Sequence, residues 1–278
     1  MDRQLAVLGS PIEHSKSPAI HSAAYRVLGL DWQYSKFEVR EGGLSNFVDS
    51  LDPSWLGLSL TMPLKEEAAR LAVSLDDFAA QTQTVNTFVR REQGWAGFNT
   101  DVFGIIQAIR QANITGIKTV LVIGSGATAT STMVAISKLA PSALVLVHAR
   151  NETTRDKLVS FAAALGLEAK ATKNLKRASS KVDLTISTLP AGSLDDLAAK
   201  LSASRFFKPR GAVFDVAYKP WPSPFAAVWI KNGKPAVSGL EMLIWQAVAQ
   251  IRIFTSGSAE QPLMNEVAVV EAMRHAVS

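Results

Sequence analysis

The sequence predicts an α/β protein in two lobes, the first with a mixed sheet and the second with a doubly wound parallel sheet, on three observations. Its 278 residues exceed the roughly 100 to 200 that one core usually serves. With 47% hydrophobic and 19% charged residues the chain has enough apolar side chains for packed interiors, which excludes wholesale disorder. Short apolar runs alternate with helical patterns along most of its length, which points to repeated strand and helix units and not to a helical bundle.

Taken in order, Leu5 to Leu8 reads as a strand, Pro18 to Leu28 as a helix opened by its proline, and Tyr34 to Val39 as a second strand. Leu56 to Thr61 is a third. Leu64, Ala68, Leu71, Ala72 and Leu75 then recur at helical spacing, so a helix is expected through Leu75. Thr84 to Val89 and Trp95 to Phe98 flank the polar turn Glu92-Gln93-Gly94, a hairpin that would place an antiparallel strand in an otherwise parallel sheet. The second lobe opens with the β-branched and leucine run Thr119 to Ile123, which leads straight into Gly124-Ser125-Gly126-Ala127-Thr128-Ala129 and a helix through Leu139. Strands at Ala143 to Val147, Leu184 to Ser187 and Ala212 to Phe214, and helices near Thr153 to Leu165 and Pro224 to Lys231, continue the alternation. Glu241 to Phe254 and Pro262 to Ala276 are helical in pattern.

Composition removes several classes of function. The absence of cysteine excludes disulfide scaffolds, thiolate zinc sites and cysteine nucleophiles. Met1 to Arg26 carries His14, Lys16 and His21 where a signal peptide needs an apolar run, and no stretch reaches the length of a spanning helix, so a cytoplasmic protein without membrane contact is expected. The net charge of +5 is uneven: residues 1–101 hold 9 basic and 13 acidic residues, a net of −4, against 20 and 11, a net of +9, in the rest. The later part favours an anion. Its cations are scattered without interleaved aromatics, so a small phosphorylated ligand is expected and no nucleic acid.

The glycine turn says which anion. A pyrophosphate is held by backbone amides at a helix N-terminus and must approach closer than a Cβ allows, which explains Gly124 and Gly126. Strand, turn, helix and second strand together span about 30 residues, the length of a mononucleotide-binding half of a Rossmann-type domain. A bare βα turn would need only one glycine. The next strand ends in His148-Ala149-Arg150-Asn151, where an acidic residue would accept from a free ribose hydroxyl. Arg150 and Arg155 instead offer guanidinium forks to a 2′-phosphate, which favours NADP over NAD, with Glu152 as the dissenting residue. The expected cofactor contacts are Gly124, Ser125, Gly126 and Ala127 in the turn and Arg150, Asn151 and Arg155 beyond it.

In the first lobe, polar groups gather at strand ends, where open α/β sheets bind ligands. Gly9 to Pro18 places Ser15 and Ser17 after the first strand, although either serine can also cap the helix that Pro18 opens. Thr61 and Lys65 follow the third strand. Lys65 begins a helix, where the dipole disfavours a cation, so a functional role is expected for it. Asn86, Asn99 and Asp101 complete the set, with helix capping as the alternative for the last two. Together these groups suit a small polyhydroxylated acid. No metal is expected, since paired histidines or carboxylates at ligand spacing are absent.

Gly9 to Pro18, Ser59 to Lys65, Val85-Asn86-Thr87, Phe98 to Asp101, the Gly124 turn, Asp215 to Pro220 and Gly239 to Gln246, in this order, resemble the shikimate dehydrogenase family over Leu8 to about Gly257. The resemblance implies that residues 1–101 and 238–278 form the substrate-binding catalytic domain and 102–237 the NADP-binding domain, with the active site in the cleft between them. It implies Lys65 and Asp101 as the catalytic pair, with Ser15, Ser17, Thr61, Asn86, Tyr218 and Gln246 around the substrate and Gly239 near the nicotinamide. The implied reaction is the reversible reduction of 3-dehydroshikimate to shikimate, in aromatic amino-acid and chorismate biosynthesis, by a monomer or homodimer. Three positions depart from the family pattern: Ser59 stands where asparagine is usual, Leu64 where histidine is common, and Ser187-Thr188-Leu189-Pro190 where an asparagine-containing stretch is typical.

The chemistry follows without the family. Hydride delivery to a ketone leaves an alkoxide that must receive a proton, and Lys65 beside Asp101 is the group placed to give it. The stripe Met242, Trp245, Ala249 and Ile253 reads as core, and Gln246 is rotated about 100° from Trp245 on the same helix. Three other readings stay open: a quinate/shikimate dehydrogenase preferring NAD, which Glu152 and Ser59 allow; a non-catalytic nucleotide-binding regulator, against which Lys65 and Asp101 count; and a lobed dehydrogenase acting on an amino analogue of the substrate, which a substrate panel would separate.

Overall fold

A computed structural model of the chain describes residues 3–277 and resolves into two compact units, Met1–Gly104 with Ile244–Ser278 and Ile105–Leu243. The first unit begins β1 (Arg3–Gly9), α1 (Ser17–Leu28), β2 (Trp32–Glu38), α2 (Leu44–Asp49), β3 (Trp55–Leu60) and α3 (Lys65–Leu71). It continues β4 (Ser74–Leu75), α4 (Asp77–Thr82), β5 (Thr87–Arg91), β6 (Gly94–Phe98) and α5 (Asp101–Gln111). Its sheet has the order β2-β1-β3-β5-β6-β4. β1 runs parallel to β2 and β3, whereas β5 is antiparallel to both β3 and β6, as the hairpin pattern predicts.

That reversal decides where the polar motifs meet. Leu8 pairs with Leu60, Ser59 with Thr87, and Thr87 with Phe98. The carboxyl ends of β1, β3 and β6 and the amino end of β5 therefore share one edge of the sheet. Asn86 reaches that edge by preceding an antiparallel strand, where the sequence pattern had placed it inside a strand running from Thr84 to Val89. On one face Leu8, Leu44, Leu58, Leu60, Leu64 and Phe88 form a dry core.

Helix α3 stops at Leu71, short of the expected Leu75. Ala72 turns extended and Ser74 and Leu75 pair with Ala96 and Gly97 of β6. Leu75 still packs on the core, from a strand, so its apolar spacing fits either element. Asp76 then caps α4 by accepting from the Ala79 amide at 2.8 Å.

The second unit contains β7 (Thr119–Ile123), α6 (Ala127–Leu139), β8 (Leu144–His148), α7 (Glu152–Ala164), β9 (Glu168–Ala171) and α8 (Leu175–Ser179). β10 (Leu184–Ser187), α9 (Asp195–Ala203), β11 (Ala212–Asp215), α10 (Pro224–Lys231) and β12 (Ala236–Ser238) complete it. All strands are parallel in the order β12-β11-β10-β7-β8-β9, a doubly wound sheet whose winding reverses between β7 and β10. Leu121, Ile123, Val213, Phe225 and Trp229 fill one side of it. The chain ends in α11 (Gly239–Ser256) and α12 (Glu266–His275), the latter packed on α1. Among the described residues no helix is long and apolar enough to cross a membrane.

Candidate active site

Lys65 opens α3, and its ammonium meets the Asp101 carboxylate at the start of α5; their side chains are 14% and 6% exposed. Asp101 Oδ1 accepts from Asn86 Nδ2 at 2.8 Å. Asn86 is oriented in turn by the Thr100 amide, which donates to its Oδ1 at 2.9 Å, and its Nδ2 also faces Gln246 Oε1 on α11 at 3.5 Å. Asn99 takes the capping role: its Oδ1 accepts from the Asp101 amide at 3.0 Å, while its Nδ2 donates to Thr82 and Thr84. With Asn99 capping α5, the Asp101 carboxylate faces Lys65 and Asn86. A buried charge this well held is costly to leave unpaired, so the ion pair fixes both side chains.

Ser15 and Ser17 follow β1, and Ser59, Thr61 and Leu64 lie in or just after β3. Ser17 is the first residue of α1 and so does not cap it; Ser15 Oγ accepts from the Ser17 amide at 3.3 Å. Thr61 directly follows β3, and its amide donates to the Leu8 carbonyl at 2.9 Å. Ser59 is buried and saturated, accepting from Tyr34 at 2.6 Å and donating to Gln250 Oε1 at 2.9 Å. Leu64 is fully buried core. Gln250 and its partner His21 escaped the sequence reading, although a glutamine four residues after Gln246 on an apolar helix face is a signal that could have found them.

Tyr218 belongs to the second unit, in the segment after β11, where burial pushes its phenol up. The neighbouring Asp215 carboxylate accepts from Ser223 Oγ at 2.6 Å and the Ala217 amide at 3.3 Å, with burial raising its pKa, and so shapes this segment. Gly239 packs with its Cα against the Val216 backbone, leaving no room for a side chain.

The glycine turn leaves β7 at the reversal point of the sheet. Gly124 has φ +119°, and a Cβ there would strike Thr188 Oγ1, which itself donates to the Ile123 carbonyl at 3.0 Å. Gly126 differs. Its backbone is extended at φ −91° and nothing in the chain approaches the place of its missing Cβ, so the fold itself does not require glycine there. Open space beside the residue that precedes α6 fits a bound dinucleotide. Ser125 Oγ and Thr154 Oγ1, 2.8 Å apart, tie the turn to α7, and Asn151 caps α7 by accepting from the Thr154 amide. Arg150 is exposed at the end of β8. Arg155 is buried and committed to Asp156 at 2.9 Å and Glu152 at 3.5 Å. Glu152 is also held by Lys173 at 2.8 Å, whose ammonium keeps its carboxyl below the usual range. The dissenting acid thus has two cationic partners within the chain.

A doubly wound parallel sheet with a glycine turn at its reversal point, in a chain whose other sheet carries a buried lysine–aspartate pair, is the arrangement expected of an oxidoreductase that uses a nicotinamide dinucleotide. The family profile described as "Shikimate dehydrogenase substrate binding domain" matches residues 7–88, and the chain is 32% identical to shikimate dehydrogenase (NADP(+)) of Methanosarcina acetivorans over 99% of this chain and 100% of that one. The chain belongs to the shikimate dehydrogenase family. It is also 31% identical, over 95% of its length, to the pentafunctional AROM polypeptide of Candida tropicalis, of which it spans 18%. The crystal structure of shikimate 5-dehydrogenase from Thermus thermophilus in complex with NADP(H) and shikimate superposes with a TM-score of 0.82 at 28% identity, covering 99% of this chain and 100% of that one.

Proposed function

We propose that the chain catalyses the reversible reduction of 3-dehydroshikimate to shikimate with NADP(H), the ligand pair named for its Thermus relative. The observation that carries this reading is the buried Lys65 and Asp101 pair, braced by Asn86 at the edge where the substrate motifs converge. The nicotinamide, when bound, supplies the hydride equivalent. Lys65 gives its proton to the carbonyl oxygen as negative charge develops there and takes it back in the oxidation direction; Asp101 holds the ammonium in place. Ser15, Ser17, Thr61, Asn86, Tyr218 and Gln246 hold the substrate hydroxyls and carboxylate.

Gly124, Ser125, Gly126 and Ala127 hold the pyrophosphate, with Asn151 fixing the start of α7 and Gly239 close to the nicotinamide. Arg150 receives the 2′-phosphate, and Arg155, anchored to Asp156 and Glu152, supports that strand end. The protein works in the cytoplasm as a monomer or homodimer. Absorbance at the reduced-nicotinamide band, with shikimate and quinate each against NADP and NAD, tests the reading. Fastest turnover is expected with shikimate and NADP; a preference for quinate and NAD would overturn it.

A further inference from the structure

Behind the Lys65, Asp101 and Asn86 cluster lies a second set of buried polar groups that the chemistry just described does not use. Gln250 sits one turn after Gln246 on α11 and is 1% exposed. Its Nε2 donates to the Asn86 backbone carbonyl at 3.1 Å and to Thr87 Oγ1 at 3.0 Å. A carbonyl can only accept, so the orientation of the Gln250 amide is fixed and its Oε1 faces the other way. There it receives the Ser59 hydroxyl at 2.9 Å and His21 Nε2 at 3.2 Å. Nε2 must therefore carry the ring proton, which leaves Nδ1 to accept from the Tyr25 hydroxyl at 3.1 Å. His21 is held in this single tautomer, stacked on Tyr34 with centroids 3.9 Å apart.

The consequence reaches Asn86. Thr87 Oγ1, accepting from Gln250, turns its own proton onto Asn86 Oδ1 at 2.8 Å. With Oδ1 facing Thr87 and the Thr100 amide, Nδ2 is aimed at Asp101. We propose that Gln250, oriented by His21, is a positioning residue for the reaction: it fixes the Asn86 and Thr87 backbone so that the Asn86 amide points at the carboxylate that holds Lys65. This rests on the dehydrogenase reading above.

Gln250→Met keeps the side chain's bulk and removes its hydrogen bonds. Expected are a folded protein, an unchanged KM for NADP, and a kcat/KM for shikimate lower by on the order of tenfold to a hundredfold. In an Asn86→Ala background the same substitution should change kcat/KM by less than about twofold, because the two act through one path. An equal loss in both backgrounds, or none in the first, overturns the proposal. Gln250→Glu is nearly isosteric and guards against misfolding. Its kcat/KM relative to wild type should fall as pH rises and the new carboxyl loses its one donor; a flat ratio counts against positioning. The Asn86 side-chain amide signals in NMR, assigned by their loss in Asn86→Ala, should shift in Gln250→Met, and unchanged signals overturn the inference whatever the turnover. Should wild type fail to oxidise shikimate, the functional reading falls while this signal still decides the role of Gln250.

Discussion

Lys65 and Asp101 pair at a sheet edge that neither residue's local sequence reveals, and the proton-donor role proposed for Lys65 rests on that pair. A lysine at the first position of a short helix is opposed by the helix dipole, and the carboxylate compensates. On the proposed mechanism, removing the ammonium ends proton delivery to the forming alkoxide and leaves the other proposed substrate groups in place. Lys65→Ala should therefore cut turnover by about 100-fold or more, with a much smaller change in substrate affinity, as steady-state kinetics with a direct binding measurement would separate. Lys65 was legible in the sequence as a cation where a helix disfavours it, and Asp101 as one of the polar groups gathered at strand ends, with helix capping as its alternative; their pairing as catalytic residues came from the family resemblance. Gln250 was not, since its worth comes from four partners on Asn86, Thr87, Ser59 and His21, distant in the chain.

At the scale of elements, the two glycines of the β7 turn have separable duties. Gly124 serves the fold, with a positive φ and Thr188 against it; Gly126 has an ordinary φ and open space around its missing Cβ, so the fold does not require glycine there and the proposed pyrophosphate contact would. Gly124→Ala should destabilise by about 1–3 kcal/mol through backbone strain in a chemical denaturation series. Gly126→Val should leave that midpoint close to wild type and raise the KM for NADP at least about tenfold. The turn was readable because strand, glycine spacing and helix agree locally. The end of α3 was not: Leu71, Ala72 and Leu75 satisfy helical spacing, and only pairing of Ser74 and Leu75 with β6 makes a strand of the last of them. α2, α4, α8 and α9 are short helices whose apolar periodicity is too brief to register.

Across the whole molecule, the buried polar set that braces Asn86 also links stability to pH. Burial pulls the His21 imidazole down from 6.5 to about 3, opposed by its bond to Gln250. Above 6.5 both folded and unfolded chains leave it neutral, so it adds no pH dependence. As pH falls below 6.5 only the unfolded chain takes the proton, and stability is lost at up to about 1.4 kcal/mol per pH unit until the folded ring titrates near 3. His21→Gln should lose less stability than wild type between neutral and mildly acid pH, as paired urea titrations would record; parallel losses would remove His21 as the source.

The first unit is assembled from chain segments separated by the whole of the second. During translation every strand of the nucleotide sheet is therefore made before the ribosome reaches α11 and α12. Until those helices emerge, α1 lacks the partner it packs on, and Asn86 lacks Gln250. The nascent chain should accordingly complete the strands of its second sheet before its first unit can close.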